Sequence, residues 1–257
     1  MRNIMFQAVV LSIRQSGENN RAVTLLTETE GIITATLFGG PKSKLRSLVS
    51  QFNRGKIYLY RDESKRTCKI TDFDVNSYHP SFNENLFKTY AASFAAEIII
   101  KTRCAGSPSQ SFYLYNGLLD GMELSDENNS RLGLIRFLWR YLGILGVRPS
   151  AALCCQCGKS FLTGKIGDDD IEWNVSYSES DNGFVCNDCL PINDGRLVLS
   201  RKSLTYLEAT ALLAPKDVRT IQIGTKTLIE MRNLSYTLIE NACGVKLLSL
   251  QSGSGIL

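Results

Sequence analysis

Histidine is almost missing from this 257-residue chain; His79 is the only one. Most Ser-His-Asp, Cys-His and multi-histidine metal chemistries are thereby excluded. His79 itself precedes Pro80 at a junction and reads as structural. Long apolar runs are missing too. No stretch reaches the ~18 apolar residues of a membrane span. Charge of one sign has little excess, with 29 Lys+Arg against 25 Asp+Glu and a net charge of +4. An anionic partner must therefore be met by a local patch. Gly39-Gly40-Pro41-Lys42 is not a phosphate loop, which needs G-x-x-x-x-G-K-[ST]. Asp168-Asp169-Asp170 lacks the spaced ligands and closing Glu of a calcium loop and reads as a solvated loop. No internal repeat is visible. Gln7 and Ser12 interrupt the apolar run of Met1 to Ile13, and no small-residue cleavage site follows. The segment reads as a first strand rather than a leader.

What is present is ordinary globular material, 44% hydrophobic and 21% charged. Such a chain can bury a sizeable core without disulfide staples. The first ~80 residues carry β patterning. Strands are predicted at Ile4–Ile13, Arg21–Thr27, Gly31–Phe38, Lys56–Tyr60 and Thr67–Val75. Five short strands suit a small closed barrel, because closure removes sheet edges, and the five-stranded oligonucleotide-binding (OB) barrel fits best. From Ser81 the period becomes helical. Leu86, Phe87, Tyr90, Phe94, Ile98 and Ile99 recur at three and four, predicting a helix over 83–103. Further helices are predicted from Ser107-Pro108 to about Met122, and from Ser130 through Leu134, Ile135, Leu138, Trp139, Leu142 and Leu145. Two more are expected at Ser200–Leu213 and Thr225–Asn241. The fold class is α+β: a β domain at 1–80, then an α-helical domain at 81–251 with a polar insert at about 151–195. A flexible tail is expected at 252–257.

Cysteine carries the strongest signal. Five of the eight fall between residues 154 and 189, which points to metal in a reducing compartment rather than to secreted disulfides. Cys154, Cys157, Cys186 and Cys189 form two C-x-x-C knuckles, and Gly158 permits the tight turn after the first. Four thiolates are the tetrahedral, closed set of a structural Zn²⁺, with no open position for catalysis. The 28 residues between the knuckles are long for a short ribbon and require a hairpin, with Phe161, Ile171, Trp173, Val175 and Phe184 as candidate strand residues. Cys155 is left over; pairing it with Cys157 is geometrically possible, although 154 and 157 match the second knuckle. Four unrelated buried cysteines are the plainer alternative.

Between Gly39 and Lys69 lie nine basic residues, Lys42, Lys44, Arg46, Arg54, Lys56, Arg61, Lys65, Arg66 and Lys69, against Asp62 and Glu63. Lys42 to Arg46 should occupy a loop leaving the third strand. Arg14 and Arg21 bracket the loop between the first two strands. On an OB barrel these positions flank the ligand groove. The candidate DNA-binding set is therefore Arg14, Arg21, Lys42, Lys44, Arg46, Arg54 and Lys56, with Phe38, Tyr58 and Tyr60 offering faces to unstacked bases. A solvated charge run and a core-facing aromatic strand fit the same pattern.

The whole layout resembles the bacterial RecO family of recombination and DNA-repair mediators. The carrying residues are Ala8-Val9-Val10-Leu11 with Arg14, Gly17-Glu18 and Arg21, then Val23-Thr24-Leu25-Leu26-Thr27, Glu30-Gly31 and Phe38-Gly39-Gly40-Pro41-Lys42-Ser43-Lys44. The C-x-x-C-G knuckle, the second C-x-x-C and Gly244-Val245-Lys246-Leu247-Leu248-Ser249 complete it. Two features depart from the family pattern: the extra Cys155, and Phe38-Gly39 where a basic residue is more typical. The resemblance implies a non-enzymatic mediator that binds single- and double-stranded DNA and anneals complementary strands. It implies contact with the single-stranded-DNA-binding protein and, with RecR, loading of RecA. Zinc would be scaffold. The expected location is cytoplasmic and nucleoid-associated, with no membrane or small-molecule substrate. A zinc-ribbon nucleic-acid-processing enzyme and a protein-binding scaffold are the rival classes.

Overall fold

The computed structural model describes residues 2–40, 43–162, 174–189 and 197–257. The chain forms two compact units, Met1–Leu134 with Lys246–Leu257, and Ile135–Val245.

In the first unit, strands β1 (Arg2–Gln15), β2 (Arg21–Thr27), β3 (Gly31–Leu37), β4 (Arg54–Asp62) and β5 (Thr67–Ser77) close a barrel in the order β1-β2-β3-β5-β4. This is the expected OB-like β domain. The length of β1 makes closure possible. Its first half pairs with β4 and its second half with β2, with a register shift between Val10 and Ser12. The seam is the parallel contact of β3 with β5 at Thr36 and Lys69. Alternation sends Ala8, Val10, Val23, Leu25, Ile33, Ala35, Leu37, Ile57, Leu59, Ile70 and Phe73 into the barrel. Gly55 allows β4 and β5 to approach: a Cβ there would lie 2.0 Å from the Asp74 carbonyl oxygen.

The stretch after β3, expected as a loop, contains a short helix, α1 (Lys44–Leu48). Leu45 and Leu48 lie three residues apart and pack against the barrel core, so burial favours a helical turn. Val9, Leu11 and Leu26 are fully buried although they lie outside the barrel-lining set. They belong to the strands against which α2 (Leu86–Thr102) and α3 (Pro108–Glu123) pack. The Tyr113 hydroxyl of α3 donates to Glu28 in the β2–β3 turn. Helix α2 starts at Asn85, whose side chain accepts the Lys88 N–H at 3.0 Å. It is buried beyond the single face predicted, including Ala91, Ala92, Ala95 and Ala96, because the barrel, α3 and the chain's last helix all contact it. Leu86, expected on the apolar stripe, is instead exposed.

Between α2 and α3 the backbone turns left-handed at Arg103, Cys104 and Ala105, with φ of 50°, 62° and 52°. Each non-glycine residue there costs about 1–2 kcal/mol. Buried Cys104 anchors the turn, and its carbonyl accepts the Ser111 hydroxyl. Ala105→Gly is expected to raise stability by up to about 1 kcal/mol, since glycine removes the steric cost but adds entropy to the unfolded chain. Urea unfolding measures this directly.

Just before the segment expected as a free tail, 252–257, α8 (Leu248–Ser252) is capped by Glu97, which accepts the N–H groups of Leu248 and Ser249. Arg131 donates to the Ile256 carbonyl at 3.0 Å, and Leu257 is buried. These contacts supply partners that the Ser-Gly composition of the terminus does not reveal.

Helix α4 (Glu127–Ile144) contributes to both units. In the second unit its Leu138, Trp139 and Leu142 are core as expected, while Leu145 is half-buried. A three-stranded sheet has order β7-β6-β8, from β6 (Asn174–Ser178), β7 (Gly183–Val185) and β8 (Val198–Ser200). Val175 and Phe184 lie on it as predicted. Phe161 is buried outside a strand, beside the Leu153–Ser160 bridge, and Ile171, Trp173 and Asp168–Asp170 fall outside the described residues. Helices α5 (Arg201–Leu212), α6 (Pro215–Val218) and α7 (Thr225–Cys243) complete the unit. Glu230 of α7 ties down the start of α5, accepting the Ser200 N–H at 2.8 Å and its hydroxyl at 2.7 Å. Among the described residues, no helix is long and apolar enough to cross a membrane.

Candidate metal centre and nucleic-acid interface

The first knuckle is a tight turn. Gly158 donates to the Cys154 carbonyl at 2.9 Å and adopts φ +74°, the left-handed region that glycine tolerates. The second is a 3₁₀ turn in which Cys189 donates to the Cys186 carbonyl at 3.0 Å. Two further bonds fasten one knuckle to the other. The Cys186 N–H points at the Cys154 sulfur at 3.4 Å, and Cys155 donates to the Phe184 carbonyl at 2.8 Å.

The four Sγ atoms of Cys154, Cys157, Cys186 and Cys189 all lie within 4.8 Å of one another. Cys157 and Cys186 are 3.7 Å apart, against about 3.8 Å for two thiolates bound ~2.3 Å from one tetrahedral zinc. The group could thus hold a metal ion. Cys155 lies outside it, exposed, with its side chain beside Gly183. Acidities agree with a cage built for a cation. Burial opposes the Cys154 thiolate, but the N–H groups of Cys157, Cys186 and Gln156 outweigh it and hold the thiol at about 6. Hydrogen bonds with Cys157 and then Cys186 push Cys189 up to about 12. Four adjacent sulfurs cannot all ionise unless a positive ion compensates them.

On the barrel, cross-strand register reveals what the linear charge run does not. Arg14 is opposite Ala22, Ala22 opposite Thr36, Thr36 opposite Lys69, and Lys69 opposite Tyr60. Paired residues share a face, so these five form one row on the outside of the barrel. Arg14 and Lys69 stand three strand spacings apart, about 14 Å, across two short side chains. The Lys69 ammonium lies 5.0 Å over the ring of exposed Phe38. Arg46 of α1 donates to the neighbouring Gly39 carbonyl at 3.4 Å. Lys65 and Arg66 lie in the β4–β5 turn beside this row.

The other candidates divide. Arg21 shares the register of core-lining Leu37 and stands at the barrel rim. Lys44 is on α1, and Lys42 lies outside the described residues. Arg54 is bound to Asp120 at 2.9 Å, and the other Asp120 oxygen lies 3.2 Å from His79 Nε2. Lys56 faces Asp74 in the ladder, and the Tyr58 hydroxyl donates to that carboxylate at 3.0 Å. Arg61 is paired with Glu30 at 2.8 Å, which raises its pKa. Asp72 and Asp74 thus make the β4–β5 face beyond Lys69 charge-balanced. Lys69, inside the basic run but outside the candidate set, is the residue sequence reading missed. Its signal was the period of two along β5, which needs the register to become a location.

The barrel and the helices that follow match two family models, described as Recombination protein O N terminal, over residues 1–76, and Recombination protein O C terminal, over residues 83–251. The chain belongs to the recombination protein O family. The two recombination protein O models meet where strand gives way to helix, and the second spans all four clustered cysteines. Curated relatives carry the name DNA repair protein RecO. One from Heliobacterium modesticaldum is 28% identical over 242 residues, covering 93% of this chain and 84% of the relative. One from Bacillus subtilis is 22% identical over 247 residues, covering 95% and 91%. One from Nostoc punctiforme is 27% identical over 191 residues, covering 72% and 62%. The chain is therefore a DNA repair protein by family.

Proposed function

We propose that this protein is a non-enzymatic, DNA-binding recombination mediator that works in the cytoplasm on the nucleoid. It binds single- and double-stranded DNA and brings complementary strands together. The observation that carries this reading is the outer barrel row with cations at Arg14 and Lys69 and rings at Tyr60 and Phe38. Lysine and arginine release condensed counterions from phosphates, which gives affinity without sequence preference and strong salt dependence. The rings stack on unpaired bases. Neutralising two strands on one surface lowers their mutual repulsion. The only histidine is buried, its side chain 2% exposed, so it does not offer a general base to a nuclease substrate.

Zn²⁺ in the four-cysteine cage serves as scaffold, with Cys154, Cys157, Cys186 and Cys189 as ligands, because four thiolates leave no open coordination position. RecR, RecA and the single-stranded-DNA-binding protein are the partners the family reading supplies. Arg136, Arg140, Arg148 and Arg219 support an acidic protein partner. Burial and then Arg136 work against the charge on Arg140, and none of the four has a carboxylate within 4 Å among the described residues.

The deciding experiment follows annealing of complementary oligonucleotides by purified protein through a salt titration. Acceleration that fades as salt rises, with both strands intact, is expected. Metal-dependent strand cleavage would instead favour a processing enzyme. Partner binding with no affinity for naked DNA would favour a scaffold.

A further inference from the structure

A pocket of about 330 Å³ opens in the second unit between α5, residues 221–224 and the start of α7. Its volume lies at the lower end of the ~300–1,000 Å³ of ligand sites, which suits one nucleotide rather than a dinucleotide. The walls are apolar, made by Ile221, Ile223 and the ring of Tyr206. Tyr206 is buried and its hydroxyl accepts a bond from Arg136 at 3.0 Å, so what it offers the pocket is its ring. The mouth is cationic. Arg201 and Lys202 open α5, and Thr205 follows on the same helix face. The Leu162 carbonyl holds the Arg201 guanidinium at 3.0 Å. Among the described residues that line the pocket, none is acidic.

The start of α7 borders this pocket at Gly224 and Thr227. The N-cap Gly224 has no side chain to cap with, and the N–H groups of Thr225, Lys226 and Thr227 have no acceptor among the described residues. Thr227 gives an independent sign. It is only 6% exposed and lines the pocket, yet its hydroxyl has no partner among the described residues. Thr102, Thr210 and Thr237, in other turns of helix, each bond the carbonyl four residues back. A buried hydroxyl left this way calls for a ligand or water to satisfy it.

We propose that the pocket takes one unpaired nucleotide, with its base between Ile221, Ile223 and Tyr206 and its phosphate at the mouth. Positive charge from Arg201 and Lys202, the N-terminus of α7 and the Thr205 and Thr227 hydroxyls together suit an anion with more oxygens than a carboxylate presents. The Gln222 amide, donor and acceptor at once, can meet the Watson–Crick edge of a base, which is open only in an unpaired nucleotide. The source of that nucleotide, free in solution or part of a single strand, rests on the DNA reading above; the chemistry of the pocket does not.

Fluorescence of 2-aminopurine deoxyriboside monophosphate, titrated with the full-length protein, tests the pocket. Saturable quenching with a Kd of about 100 µM or tighter is expected. Thr227→Val keeps the shape but removes the hydroxyl, and should weaken binding about threefold or more. Ile223→Trp fills the pocket and should abolish binding with the circular dichroism spectrum unchanged. Arg14→Glu with Lys69→Glu should leave nucleotide binding as it is while lowering affinity for DNA, so either reading can fail alone. The same base at the end of an oligonucleotide of about ten residues separates the sources. Oligonucleotide quenching that is lost in Ile223→Trp assigns the pocket to strands, and quenching of the free nucleotide alone assigns it to free nucleotides. No quenching up to about 300 µM protein overturns the proposal. So does quenching that is the same in Thr227→Val and Ile223→Trp as in wild type. Inorganic phosphate binding as tightly as the nucleotide would overturn it too, since the apolar walls would then contribute nothing.

Discussion

Cys186→Ser is expected to strip the chain of its metal and to unfold the cysteine-bearing sheet. Wild-type protein should hold one zinc per chain by elemental analysis, and the variant close to none. The structural reason is that the described residues of this region, 150–162 and 174–189, have little apolar core of their own. Phe161, Val175, Phe184 and Val185 are buried, but the turns joining them are fastened chiefly through Cys154 and Cys186. In small zinc peptides the metal supplies roughly 10–16 kcal/mol of folding free energy. Even a fraction of that exceeds what the short β6–β7 hairpin can provide, so loss of several kcal/mol in the second unit is the expected reading of a urea titration. Chelation of wild-type protein should reproduce the effect. Cys155→Ser is the matched control, because its sulfur lies outside the cage, and it should retain full metal content. If Cys186→Ser kept its zinc, the four-sulfur assignment would be wrong.

Reversing charge on the barrel row should have the other large effect. Arg14→Glu with Lys69→Glu is expected to lower affinity for single-stranded DNA by two orders of magnitude or more at low salt, and to flatten the slope of log K against log salt by about 2. The basis is location rather than charge count. Arg14 and Lys69 stand on one face with no ion-pair partner among the described residues, whereas Arg54 is committed to Asp120 and Lys56 faces Asp74. Arg54→Ala with Lys56→Ala should therefore leave the salt slope nearly unchanged while lowering stability through the stranded Asp120. Fluorescence anisotropy across a salt series separates the two pairs. Equal slopes in both double variants would dissolve the row as a binding surface.

Much of this was legible before any coordinates. Alternation marked five strands within a few residues of their ends, since half-buried strands must show a period of two. The change to three- and four-residue spacing after Ser81 located α2 for the same kind of reason, and Ser107-Pro108 marked the start of α3. The cysteine knuckles were legible as a ligand set because two-residue spacing is a local geometric requirement that needs no fold. Other features were not legible. Leu45 read as part of a basic loop, because the apolar barrel end that draws it and Leu48 into a helix comes from distant strands. Residues 252–257 read as a tail, because Arg131, which holds the Ile256 carbonyl, lies more than a hundred residues away.

The sequence by itself determined the kinds of element, their order, the four-thiol chemistry and the existence of a cationic segment. Each of these is written in spacing along the chain. Which cations lie on one face was decided only by tertiary structure. Strand pairing set Lys69 beside Thr36 and in line with Arg14, and folding delivered Asp120 to Arg54 from 66 residues away. Electrostatic interaction depends on distance through space and on the dielectric between charges, and a linear sequence contains neither.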